Sequence, residues 1–382
     1  YEYDFLTQRA GLSYQYLFRK TKVAASLYYQ HVDFGGDYRL PQEARTEASY
    51  DNLTYNFIGS IHFNASNLLK INATSQTRNP RATDLQSIVN TTNRQNVFAG
   101  NPALRPVYTH DLTAQYLRTN AEKGRTFTVT LRFTASPNTI ADSLVIDTPD
   151  FVIDDDGTRL GAGNQFVRPV NLAGYWNLRT TLNYGFPVRF LRSNLNLRAG
   201  VTTGRIPSII NGTRNLLHGN SYNAGLTLGS NISENIDFKI AYTGYYNISR
   251  NSSKVRTVDN DYVNHYLTAG LNLMLGQRLL LRASADYTCY RGITDPFREE
   301  RLICNLQAGC KLFRQRLGEV TVGVNDLFDR GGTSFRRTVT GTYIRNVTNL
   351  GLGRYFLMQF TYNLRLFPRQ GAAVTRLLEE GE

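Results

Sequence analysis

RYFLMQFTYNLRLF, residues 354–367, separates into two series when every second residue is taken. Phe356, Met358, Phe360, Tyr362, Leu364 and Leu366 are all apolar or aromatic. Tyr355, Leu357, Gln359, Thr361, Asn363 and Arg365 are mostly polar. A period of two belongs to a β-strand, whose side chains point alternately to opposite faces. The two faces of this strand meet different surroundings, and the apolar face runs the whole length of the segment.

The same alternation recurs from the start of the chain. Ala10, Leu12, Tyr14, Tyr16 and Phe18 share one face. Phe127, Val129, Leu131 and Phe133 alternate with Thr126, Thr128, Thr130, Arg132 and Thr134. Leu195, Leu197, Ala199 and Val201 alternate with Asn194, Asn196 and Arg198. Val263, His265, Leu267, Ala269, Leu271, Leu273 and Leu275 form a long series. The alternation template gives about fifteen strands in all.

The connections alternate in length. NASN (64–67), TNAEKGR (119–125), SNISEN (230–235), LGQR (275–278) and FRQRLGE (313–319) are short. Long connections fall between them, at 32–50, 77–106, 143–167, 203–220, 250–261 and 330–353. A soluble sandwich has no reason to place every long loop at one end. A transmembrane barrel does, with short periplasmic turns and long extracellular loops. The expected fold is therefore all-β, a transmembrane antiparallel barrel in the outer membrane. Its apolar face meets lipid and its polar face meets the lumen. The backbone must satisfy itself inside the bilayer, so such a sheet has to close.

Composition excludes several other classes. Aromatic residues are 12% of the chain and charged residues 19%, which is too aromatic and too weakly charged for a disordered chain. No stretch approaches the roughly 18 apolar residues of a transmembrane helix. The net charge of +13 is spread along the chain. Without a basic helix or an RNA-binding motif, nucleic acid is not an expected partner. YEYDFLTQRAG, at the start, has neither the basic nor the apolar region of a signal peptide. The expectation is a fragment that begins inside its domain.

Three stretches carry a family resemblance. FAGNPALRPVYTHDLTAQY (98–116) resembles the loop-to-strand signature of TonB-dependent outer-membrane receptors. EVTVGVNDLFDR (319–330) is similar to their penultimate strand, and RYFLMQFTYNLRLF to their closing strand. The match is best to the outer-membrane β-barrel branch found in Bacteroidetes-type, Gram-negative bacteria. Val107 stands where that family often has Glu after its Asn-Pro-x-Leu-x-Pro motif.

The resemblance implies a barrel of about twenty-two strands with a plugged lumen. Residues 1–367 would be its C-terminal portion and 368–382 a short periplasmic tail. No plug domain is visible in the chain. The implied function is energised uptake of a scarce ligand such as a glycan, peptide or chelate. The implied partners are outer-membrane lipid, a TonB-type energy-coupling complex acting through a plug, and a surface lipoprotein. The rival readings are a passive porin-like barrel and a surface adhesin or assembly barrel.

The polar lumen face is the expected ligand surface. Near its extracellular rim it should present Tyr245, Tyr262, Asn264, Tyr266, Asp286, Tyr290 and Arg301, with Arg198 deeper. Tyrosine and arginine at a pore mouth can grip sugars, peptides or anionic chelates.

No catalytic site, metal site or cofactor is expected. No GxSxG elbow occurs, and His62, His110 and His265 lack an evident Ser or Asp partner. Asp154, Asp155 and Asp156 offer hard oxygen ligands but lack the spacing of a calcium loop, and read as a solvated hairpin tip. Cys289, Cys304 and Cys310 fall on the lipid-facing series. Cys289 and Cys304 flank one hairpin, which leaves a disulfide between them conceivable.

Overall fold

A computed structural model describes residues 2–38, 44–146, 148, 151–153, 157, 159–230, 233, 235–253, 259–293, 298–313, 316–331, 333–339 and 344–363. Asp154, Asp155 and Asp156, the end of the closing segment (Leu364, Leu366 and Phe367) and the tail at 368–382 lie outside the described residues.

The chain begins with β1 (Glu2–Phe18), β2 (Thr21–Tyr38), β3 (Ala44–Asn64) and β4 (Asn67–Arg78). A short helix α1 (Ala82–Leu85), β5 (Val89–Asn90) and β6 (Asn96–Ala99) fill the next connection. Then come β7 (Val107–Asn120), β8 (Arg125–Ser136), β9 (Thr139–Ile146), β10 (Gln165–Leu172) and β11 (Tyr175–Val188). β12 (Ser193–Ile210), β13 (Thr213–Ser230), β14 (Ile236–Asn251), β15 (Asn260–Leu275), β16 (Leu279–Gly292) and β17 (Arg298–Leu312) follow. The last are β18 (Gly318–Asn325), β19 (Thr333–Val339), β20 (Ile344–Leu350) and β21 (Tyr355–Tyr362).

The wall is an antiparallel ladder from β1 through β4, then β7, β8, β11 to β18, and β21. These are the strands that alternation marked in the sequence. The smaller strands belong to the connections at the extracellular end. β9 pairs with β10 above the β8–β11 ladder, β6 runs parallel to β10, and β19 pairs with β20. Among the described residues, β1 pairs only with β2 and β21 only with β18.

Register turns the alternation into two surfaces. Tyr184, Leu197, Leu226, Tyr242, Leu267, Tyr287 and Leu302 are successive cross-strand partners from β11 to β17. Asn183, Arg198, Gly225, Thr243, Tyr266, Thr288 and Arg301 form the adjacent row on the opposite face. The first row is wholly apolar or aromatic and belongs to the lipid side. The second is mostly polar and belongs to the lumen side.

Large apolar side chains on the lipid side stay accessible, with Leu12 84%, Phe356 80% and Met358 72% exposed. In water such a belt would be an aggregation surface; in a bilayer it is the solvated face. The small dry cores sit in the extracellular connections instead. One joins Val97, Ala99, Leu160 and Phe166, and the other joins Phe34, Leu85 and Leu104.

Three expectations are corrected. The long connection expected at 32–50 shrinks to 39–43, because β2 runs to Tyr38 and β3 begins at Ala44. Residues 203–220 are not a long loop, because β12 and β13 run through them to a two-residue turn. Asn211 (φ 48) and Gly212 (φ 75) supply the left-handed geometry that such a hairpin needs. The polar and glycine-rich character of 203–220 reflects the lumen face and rim, not a break in the strands. The disulfide is also excluded. Cys289 pairs with Glu300 whereas Cys304 pairs with Ala285, so four residues of strand separate the two rows, about 13 Å. All three cysteines are free.

Replacing Leu267 with Arg should cost about 2–4 kcal/mol in a bilayer, the range for a cation on the lipid face near mid-depth. Thr268→Arg, on the opposite face, should cost far less. Urea unfolding of the two variants in lipid vesicles would compare them. Equal losses would mean that the two faces have been assigned to the wrong surroundings.

Candidate functional site

The extracellular connections are fastened to one another and to the wall by asparagine side chains that act as short pieces of backbone. Asn171 accepts from the Arg105 N–H (2.8 Å) and donates to the Arg105 carbonyl (3.0 Å). Asn138 accepts from the Tyr108 N–H (2.8 Å) and donates to the Pro106 carbonyl (2.7 Å). Asn211 likewise accepts from the Ile146 N–H and donates to its carbonyl. An amide side chain carries one acceptor and one donor group, so it can pair with a peptide unit as a strand would.

This explains the AGNPALRP stretch. Asn101 donates its backbone N–H to the Asp84 carbonyl (2.6 Å) and its side-chain amide to the Pro169 carbonyl (3.1 Å). Its side-chain oxygen accepts from the Ala103 N–H (3.0 Å). A Cβ at Gly100 would lie 2.3 Å from the Gln86 carbonyl, so only glycine fits there. Leu104 plugs the second small core.

The NDLFDR stretch is a second fastening. Asp326 (φ 54) accepts from the N–H groups of Arg330 (3.0 Å) and Gly331 (2.6 Å). Asp329 (φ 56) accepts from the Arg354 N–H (2.8 Å), which joins this turn to the start of β21. Aspartate tolerates the left-handed region better than most side chains.

Beneath the loops, the lumen face of β12 to β17 gathers most of the expected ligand residues. Tyr245, Asn264 and Tyr290 lie in one register row. Tyr262 and Tyr266 flank Asn264 on the same face of β15. The Tyr245 and Tyr266 rings meet edge-to-face with centroids 5.9 Å apart. Those of Tyr262 and Tyr290 stack at 5.0 Å. Asn264 Oδ1, in the row between these tyrosines, is buried with no hydrogen-bond donor among the described residues.

The remaining expected residues stand further off. Arg301 shares a row with Tyr266 but lies two strands away, with Thr288 between. Asp286 pairs with Thr268 and Ile303, one row nearer the periplasm. Arg198 is in the same row as Tyr266 but three strands away, about 14 Å, across Thr243 and Gly225. Arg198 and Asp286 are exposed.

A groove of about 240 Å³ opens beside Tyr262. Its lining includes Tyr175, Asn177, Thr202, Ser221 and Asn247. Gly204 and Gly219 are direct cross-strand partners and leave its floor bare. Sequence reading missed this groove. Its residues come from five strands, and only the register brings the two glycines opposite each other.

Apart from His62, the histidines lie on the lipid-side series, with His265 two residues from Leu267. Tyr55 Oη and His110 Nδ1 are 3.0 Å apart, and Tyr242 Oη and His265 Nδ1 are 2.6 Å apart. His31 is held between Asp51 (2.6 Å) and Asp33 (3.0 Å). Among the described residues, no group of His, Cys, Asp and Glu is placed to hold a metal.

The sequence matches the model of an outer membrane protein beta-barrel family over residues 1–362, and the chain belongs to that family. Its location is the outer membrane. A solved structure of in-vitro folded OmpT, an outer membrane protein of Vibrio cholerae, aligns over 94% of this chain and 96% of its own. That likeness has a TM-score of 0.34 and 10% identity, too slight to transfer residue roles. No curated protein matches the sequence.

Removing the Asn101 and Asn171 side-chain amides together (N101A/N171A) should loosen the 79–106 connection. Each lost hydrogen bond is worth about 1 kcal/mol, so local opening and protease cleavage there should rise at least several-fold. Thermal unfolding of the wall should barely change. Limited proteolysis followed by mass mapping would show whether cleavage concentrates in that connection.

Proposed function

We propose that this chain forms the wall of a TonB-dependent outer-membrane transporter that captures a scarce ligand on its lumen side. The observation that carries this reading is the aromatic and amide surface of Tyr245, Tyr262, Asn264, Tyr266 and Tyr290 beside a bare glycine floor. A pore that only conducts ions needs water and scattered charge on its inner face. Paired tyrosine rings around an unsatisfied amide oxygen suit a ligand with apolar faces and hydroxyl or N–H donors. A glycan or a peptide has both.

The resemblance of the AGNPALRP and NDLFDR stretches to those of TonB-dependent receptors supports energised uptake over passive flow. In this reading, energy arrives through a plug coupled to an inner-membrane complex. A surface lipoprotein hands over or covers the ligand. The chain binds and releases but carries out no covalent chemistry.

Cells producing the full-length protein should accumulate a ligand from a labelled panel of oligosaccharides, peptides and ferric chelates. A protonophore should abolish that accumulation. Uptake that persists unchanged with the protonophore would overturn energised transport in favour of a passive pore. Gly219→Leu is the site-specific companion. A Cβ at Gly219 meets nothing within 4 Å, so the larger side chain fits the wall and fills the groove. It should lower binding about tenfold or more at unchanged surface abundance, the effect of losing one good ring contact and some buried area. Binding titrations with the accumulated ligand would measure it.

A further inference from the structure

On the lipid side, register fixes the order of surroundings along β12 and β13. Val201 pairs with Tyr222, and Tyr222 stacks with Tyr246 at 6.4 Å. The next row outward pairs Thr203 with Asn220. Beyond it Arg205 pairs with His218, then Pro207 with Leu216, then Ile209 with Arg214. As far as Arg205 and His218 this is the aliphatic, aromatic, polar and then basic order met on moving from hydrocarbon to headgroups, and the Pro207 side chain one row further out is fully buried. Trp176, the sole tryptophan, is the cross-strand partner of Arg205 in the first basic row.

Two of these arginines are brought to one point. Arg205 Nε donates to the Gly174 carbonyl (2.8 Å), and Arg214 donates to the Ala173 carbonyl (2.7 Å). A Cβ at Gly174 would lie 3.2 Å from one guanidinium and 3.3 Å from the other, so both ends crowd the same spot. Gly174 itself has φ 99, and no other residue would adopt that bend without strain.

Like charges this close repel unless something between or beside them is negative. Nearby Arg250 has its own carboxylate, in a two-pronged pair with Asp261. Arg205 and Arg214 pair with no carboxylate among the described residues. Two carbonyls hold them, and most of their N–H groups remain available. Two fixed, uncompensated guanidiniums with free donors are built to take a phosphate, whose oxygens match the guanidinium fork.

Position decides the source of the phosphate. The pair is on the lipid side, above the Tyr222–Tyr246 ring pair and beside Trp176, at the height of the outer headgroups. We propose that Arg205 and Arg214, with His218 beside them, bind the phosphate of an outer-leaflet lipid carrying a phosphate monoester. The site depends only on the outer face meeting lipid. It stands or falls separately from energised transport.

Native mass spectrometry of the full protein released from detergent tests this with equal amounts of phosphatidic acid and phosphatidylcholine. The wild type should retain phosphatidic acid about tenfold over phosphatidylcholine, the scale of one charge-assisted contact or more. R205Q/R214Q should lose that preference. R214Q alone changes an exposed side chain, and should lose it several-fold even if the double variant folds poorly.

No preference in the wild type, or an unchanged preference in R214Q, would overturn the assignment. Full displacement of phosphatidic acid by an equal concentration of inorganic phosphate would also overturn it, in favour of a soluble anion. A protein that co-purifies through these arginines, without any lipid preference, would instead make the patch a protein contact.

Discussion

The backbone hydrogen-bond ladder is the constraint from which the rest of this structure follows. Inside a bilayer there is no water to pair with an exposed N–H or C=O group, so every strand needs a neighbour. The ladder from β1 to β21 supplies one for each strand between its two ends. Once that pairing is fixed, side chains have only two directions. One set solvates the wall in lipid and the other lines the lumen, and neither can be exchanged for the other without slipping the register by one residue.

The ladder also explains where precise packing is found. A single-layered wall has no interior of its own, and its large apolar side chains remain accessible to lipid. Among the described residues, conventional cores appear where a second layer covers the wall, around Val97 and Phe166 and around Leu85 and Leu104. The asparagine clasps at Asn101, Asn138 and Asn171 serve the same end by other means. They give the loop backbone the partners that a regular sheet would otherwise provide. The abundance of asparagine in the chain thereby acquires a structural purpose.

Most of the wall was legible because its physics is local. The alternation of Phe127 to Phe133 with threonines, or of Leu195 to Val201 with asparagines, needs no knowledge of any other strand. The small strands β5 and β6 were not legible because they are too short to show a period, and β19 (TSFRRTV) and β20 (IRNVTNL) because polar and apolar residues do not alternate cleanly along them. The supposed loop at 203–220 was misread for a related reason. Its lumen side carries glycine and serine, which signal a turn in isolation but a groove floor once Gly204 faces Gly219.

The sequence by itself determined the number of long strands, the face that meets lipid and the end that carries the loops. Each is set by residues that are neighbours along the chain. It also named the tyrosines of β14, β15 and β16, because their position on the polar series near the rim could be counted. Tertiary structure alone decided which of them meet. Tyr245 touches Tyr266 and Tyr262 touches Tyr290, whereas Arg198, in the same row, is three strands away. It also decided that Arg205 and Arg214 share a seat at Gly174, a bend in the chain between β10 and β11. Such meetings depend on register between strands, and register is a property of pairs of segments that neither segment states alone.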